Sequence, residues 1–177
     1  MSGTHDPRLP MFGEPYSKEP VAPLEDAALA AEIAAVAARY PTKQAALLPA
    51  LHMVQRKHGW ISPAGEAFVA RELGLAPSHV QGAVTFYTLF RTKQMGRHHI
   101  QVCRTLSCSL AGNDEMLEYL QGKLGIGPGE VTPDGRFSLV LVECLGACGY
   151  APMMQVNDDY HENLTQEKVD ALLESMP

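Results

Sequence analysis

Apolar residues recur at three- and four-residue steps through the first half of this chain and at two-residue steps through much of the second. The pattern predicts helices followed by a mixed layer of strands and helices. Leu29, Ile33, Val36 and Tyr40 mark one amphipathic helix that Pro41 stops. Thr42 caps a second, with Leu47, Leu51 and Val54 inward and an end at His58-Gly59; Pro49 kinks it or shifts its start. Ser62-Pro63 has the cap-plus-first-turn-proline signature of a third helix, carrying Phe68, Val69 and Leu73 before Gly74. Pro77 opens a fourth through Val80, Ala83, Val84 and Tyr87. Four short helices make a small bundle whose limited core is expected to lean on something else.

After the basic connector from Arg91 to Arg97 the period changes. Ile100 and Val102 alternate with polar neighbours and read as a strand that delivers Cys103 at its end. Leu117, Leu120 and Leu124 mark a helix closed by Gly125. Thr132-Pro133-Asp134-Gly135 is a turn by its chemistry, and Phe137, Leu139 and Leu141 begin a strand ending at Cys144. Met153 to Asn157 predicts a third strand, and Thr165 caps a last helix with Val169, Leu172 and Leu173 inward. The second half is thus expected to be β-α-β-β-α, and the whole chain α+β. Its organisation is expected to be a proline-rich arm over residues 1–24, a helical bundle over 25–92 and a second domain over 93–177.

Composition narrows the picture. With 177 residues, 46% of them hydrophobic, the chain can bury a core without disulfides. Lys and Arg number 14 against 20 Asp and Glu, a net charge of −6, which argues against nucleic acid as a partner. Charges interrupt every apolar run, so no direct membrane insertion is expected. The opening stretch carries Pro7, Pro10, Pro15, Pro20 and Pro23 and no apolar run, unlike a secretory signal. Asp6, Glu14 and Glu19 count against a mitochondrial transit peptide, so a reducing bacterial cytoplasm is the expected compartment. There, cysteines read as metal ligands or redox thiols rather than structural disulfides.

The four cysteines all lie in the second half. Cys103 and Cys108 have four residues between them, Cys144 and Cys148 have three, and each pair follows a predicted strand. Neighbouring strands would bring both loops to one sheet edge. Structural zinc usually takes tighter knuckles in domains lacking their own core, and neither pair has the C-x-x-C spacing of a thioredoxin-type redox centre. A [2Fe–2S] cluster has two irons, each held by two cysteines, and suits two wide loops. Thr105, Ser107, Ser109, Ala111, Gly112, Gly146, Ala147 and Gly149 are small, so backbone N–H groups can approach cluster sulfurs. Spacing and composition favour the cluster and leave zinc and redox thiols as alternatives.

These residues resemble a known family. Cys103-x₄-Cys108 and Cys144-Leu-Gly-Ala-Cys148 followed by Ala151-Pro152 are similar to the thioredoxin-like [2Fe–2S] subunits of the NADH-dehydrogenase module of respiratory complex I. Leu48 to His52, His58 to Ile61, Val84 to Tyr87, Leu106 to Cys108 and Gly125 to Glu130 resemble it too, in the same order, and the likeness runs from about Ala27 to Leu173. The proline-rich arm has no counterpart in it. The resemblance implies a four-helix bundle followed by a thioredoxin-like [2Fe–2S] ferredoxin domain, with Cys103, Cys108, Cys144 and Cys148 as cofactor-binding metal ligands. It implies an electron-transfer subunit of NADH:quinone oxidoreductase, with FMN and NADH held by a partner flavoprotein subunit. The large iron–sulfur subunit of the module is a further expected partner, on the cytoplasmic face of the bacterial inner membrane. The homologous subunit of an NAD-linked hydrogenase or formate dehydrogenase is the alternative within this chemistry, and a zinc-stabilised binding module the alternative outside it.

Other candidates read as structural. Gly125-Ile-Gly-Pro-Gly129 superficially resembles a dinucleotide fingerprint but follows a helix, so it reads as a helix cap and turn. His98 and His99 alternate faces of a strand, and His52 and Trp60 read as packing residues. Phe86, Tyr87 and Phe90 form an aromatic group for which core packing competes with partner contact. Nothing pairs a nucleophile with a base at recognisable spacing, so no catalytic residue of the chain's own is expected.

Overall fold

The computed structural model describes residues 22–177. The arm expected over 1–24 therefore lies outside the described residues except for its last three, of which Leu24 packs against the helical core. Contact density divides the chain into two compact units, the described residues up to Gln94 and Met95–Pro177.

The first unit contains α1 (Ala27–Ala37), α2 (Leu47–His58), α3 (Pro63–Leu73) and α4 (Pro77–Phe86). Side-chain caps start α1 and α3. Asp26 accepts the Leu29 N–H at 3.0 Å, and Ser62 accepts from Gly65 ahead of Pro63. Thr42 does cap, but it caps a 3₁₀ turn over Lys43–Ala46, and α2 begins only at Leu47. Pro49 then falls in the first turn of α2, where its missing N–H has no intrahelical partner to lose. Gly59 and Gly74 end α2 and α3 in left-handed conformation. Leu29 and Ile33 meet Leu51, Val54, Phe68, Leu73, Val80 and Val84 in one apolar core. Three expected members fall outside it: Val36 is only half-buried, Tyr40 lies beyond α1 and is exposed, and Tyr87 follows α4. The aromatic group divides, because Phe90 is buried against His52 while Phe86 is exposed. Gln55 pins the segment after α4, accepting the Arg91 N–H at 2.7 Å and donating to the Leu89 carbonyl at 3.0 Å.

The second unit contains β1 (His98–Cys103), α5 (Leu106–Cys108), α6 (Asp114–Leu124), β2 (Phe137–Val142), β3 (Met154–Val156), β4 (Asp159–His161) and α7 (Gln166–Ser175). The sheet order is β2-β1-β3-β4, with β1 parallel to β2 and antiparallel to β3, and β4 antiparallel to β3. Ile100, Val102, Leu139, Met154 and Val156 bury one sheet face against Met116 and Leu120 of α6 and Val169 of α7. Gly125 caps α6 in left-handed conformation, and Gly127 donates to Glu130 in the turn that follows. The glycine run is therefore a cap and turn, as its position predicts. The helix closed by Gly125 is preceded by α5 and a turn over Ser109–Asn113 kinked at Gly112, neither of which the apolar period announces. β2 ends at Val142, two residues before Cys144. The strand expected over Met153 to Asn157 forms as β3, and an unexpected β4 follows it in a hairpin, with Val156 opposite Asp159 across the two residues Asn157 and Asp158. Asn157 at φ 55° suits such a turn. Among the described residues no helix is long and apolar enough to cross a membrane.

Candidate metal centre

Strand direction gathers the cysteines. Cys103 is the last residue of β1 and sits opposite Val142, the last of β2, so both parallel strands finish at one end of the sheet. Met154 opens β3 opposite Val102, so the chain re-enters the sheet at that same end after the loop carrying Cys144 and Cys148. Cys108 closes α5, five residues beyond Cys103. Both pairs thus share one sheet end.

Their surroundings differ. Cys103 and Cys108 are each about 1% exposed, whereas Cys144 and Cys148 are exposed, and all four are free thiols. The Cys103 Sγ lies 3.1 Å from the Thr105 hydroxyl and donates to the Glu143 carbonyl at 3.4 Å. Burial works to raise the Cys103 pKa, but the Thr105 hydroxyl and amide, Cys108 and the Leu145 amide more than offset it and hold the pKa low. Burial, with Cys103 and Cys148 alongside, pushes the Cys108 thiol up to about 12. Cys103 and Cys108 pack together with Ala147, the residue before Cys148. Cys144 stands one residue past Glu143, whose carboxylate pairs with Arg104 at 3.1 Å.

Among the described residues no group of three or more His, Cys, Asp or Glu side chains is gathered for a single metal ion. A two-iron cluster sets a different requirement, two thiolates for each iron, and two separate pairs on facing loops meet it. The donor set of four free thiols, with two amides and a hydroxyl already turned toward one of them, fits such a group.

The loop from β2 to β3 is fastened from several sides. Tyr160 on β4 donates to the Leu145 carbonyl at 2.6 Å, Asn163 N–H to Tyr150 at 2.7 Å and Leu164 N–H to Pro152 at 2.9 Å. The Ala151–Pro152 peptide is cis. Asn113, about 1% exposed, donates from Nδ2 to the carbonyls of Cys103 and Met153, both at 2.9 Å, and accepts the Met153 N–H at 2.8 Å. Neither Asn113 nor Tyr160 is conspicuous in the sequence. The one local signal for the Tyr160 strand is the Asn157-Asp158 turn, and Asn113 has none.

A family model described as thioredoxin-like [2Fe-2S] ferredoxin matches residues 33–177. The chain belongs to that family. This thioredoxin-like ferredoxin is 51% identical over 144 residues to an NADH-quinone oxidoreductase subunit of Rhizobium meliloti, covering 81% of this chain and 86% of that relative. It is 49% identical over 139 residues to "NADH-quinone oxidoreductase subunit 2" of Thermus thermophilus, covering 77% of each. Among solved structures it is similar to an NAD+-reducing [NiFe]-hydrogenase in the air-oxidized state, with a TM-score of 0.64 and 25% identity over 73% of this chain. The ferredoxin spans 22% of that hydrogenase chain's length. A zinc-stabilised module, left open by the cysteine spacing, is not the class to which this family belongs.

Proposed function

We propose that Cys103, Cys108, Cys144 and Cys148 together hold one [2Fe–2S] cluster, and that the cluster works beside a flavoprotein subunit that binds FMN and NADH. Family and relatives make the chain an electron-transfer subunit of the NADH-quinone oxidoreductase type. The observation that carries the ligand assignment is the delivery of both cysteine pairs to one sheet end, with Cys103 and Cys108 packed against Ala147 of the second loop. When bound, a [2Fe–2S] group accepts and returns one electron at a time, which complements a flavin that receives two with a hydride. The chain's own part is to hold the sulfurs, to turn donors toward them and to leave one side open to a partner.

The finer organisation belongs to the same reading. Residues 25–92 are a four-helix bundle and 93–177 the cluster domain. The flavoprotein and the large iron–sulfur subunit of the module are its partners, on the cytoplasmic face of a bacterial inner membrane. The likeness to the hydrogenase supports a second reading, the corresponding subunit of an NAD-linked hydrogenase, and the subunits that copurify with the native chain separate the two.

The test is metal and sulfide analysis of the purified full-length chain. It should contain two irons and two acid-labile sulfides and absorb in the visible. Replacing any one of the four cysteines by Ser should perturb the electron paramagnetic resonance of the reduced cluster, because the chain has no fifth cysteine. One zinc without sulfide overturns the proposal, since Zn²⁺ is spectroscopically silent.

A further inference from the structure

A buried primary amide is costly unless its groups are bonded, and at Asn113 both Nδ2 hydrogens and the Oδ1 are used. Its partners belong to both cysteine loops. Asn113 ends the kinked turn that follows Cys108, the carbonyl it reaches on one side belongs to Cys103, and the peptide groups on the other side belong to Met153, just after the loop with Cys144 and Cys148. One side chain therefore ties the backbone of the first cysteine loop to the exit of the second. The side chain is short and its amide planar, so the tie is stiff.

Resting on the ligand assignment above, we propose that Asn113 is a positioning residue for the cluster, setting the separation of the two cysteine loops through its three hydrogen bonds. It touches no cysteine sulfur. Its effect reaches the cluster through the Cys103 backbone and the Met153 backbone, as the outer partners of a metal ligand do. An apolar residue of similar size would fill the same space and remove the Asn113 bonds to the Cys103 and Met153 backbone.

The experiment compares the full-length wild type with Asn113→Ala, Asn113→Asp and, as a control, Leu120→Ala in the core away from the cysteines. In Asn113→Ala the reduced cluster should show altered g-values and a shifted midpoint potential. Iron release to a chelator should be faster by about ten- to a hundredfold. Leu120→Ala should lower the melting temperature while leaving spectrum and potential unmoved. Asn113→Asp keeps the acceptor for Met153 but sets a carboxyl oxygen against two carbonyls, and it should show the same spectral change; it is the variant read if Asn113→Ala does not fold. In the cluster-free chain, amide exchange at Met153 should quicken in Asn113→Ala. Wild-type spectrum, potential and release rate in a folded Asn113 variant overturn the inference and leave the proposed function standing. A wild type without iron and sulfide overturns the proposed function, and an unchanged Met153 exchange rate overturns the tie itself.

Discussion

A buried sulfur that carries negative charge needs donors, and Cys103 is supplied with them. The Thr105 hydroxyl at 3.1 Å donates to the deprotonated sulfur, and the amides of Thr105 and Leu145 point the same way. Donors of this kind favour the more negative, reduced form of a cluster and raise its potential. The Arg104–Glu143 pair beside it partly cancels its own field, so the hydroxyl is the more direct lever. Thr105→Val keeps the shape and removes the donor. It should lower the midpoint potential by about 40 mV, the equivalent of about 1 kcal/mol for a one-electron couple. Redox titration followed by paramagnetic resonance measures this, and an unchanged potential would mean the hydroxyl points elsewhere once iron is bound.

At the scale of elements, the sheet end is shaped by parts that bury little. β4 is three residues long, yet Tyr160 on it and the residues just after it hold the second cysteine loop in three places. The kinked turn between Cys108 and α6 depends on Gly112, whose φ is 105° and whose added Cβ would meet Pro152 Cγ at 3.4 Å. Gly112→Ala should therefore destabilise the chain by about 1–3 kcal/mol and lower iron occupancy. Gly82 offers the opposite case. It sits exposed within α4, where an added Cβ meets nothing within 4 Å, so Gly82→Ala should stabilise by up to about 1 kcal/mol. Thermal denaturation of the two variants, with iron content measured alongside, checks both signs.

At the scale of the whole molecule, the cluster end is left open. Leu106 and Leu110 are 74% and 80% exposed beside the buried cysteine pair, and Tyr150 is exposed in the second loop. Under the proposed function, exposed large apolar side chains at this end suit a surface that another chain covers. Because a one-electron carrier needs a redox partner within reach, the chain's usefulness rests on what docks there. The lone chain should fail to oxidise NADH even with artificial acceptors, while its cluster should be reduced by NADH once the flavoprotein subunit is added. Leu110→Glu should weaken that complex by about tenfold or more and leave the cluster spectrum intact. Binding measured by calorimetry would sink this surface assignment if the variant bound as the wild type does.

Much of the chain is legible in order. Ser62-Pro63, Thr165 and Gly125 announce helix ends because a cap depends on atoms only a few residues away. The cysteine spacing by itself determined the candidate ligands and, through the family it resembles, the class of cofactor. What lies across the sheet was decided by tertiary structure. That β1 runs parallel to β2 and antiparallel to β3 brings the two cysteine loops to one sheet end, and no local period specifies which distant strands pair. The same holds for the division of the four thiols into a buried pair and an exposed pair, and for Asn113, an ordinary polar residue until folding encloses it. Periodicity reports each residue's nearest neighbours in sequence. Register, burial and the tie between two cysteine loops depend on residues about 40 positions apart, and those meet only when the sheet has formed.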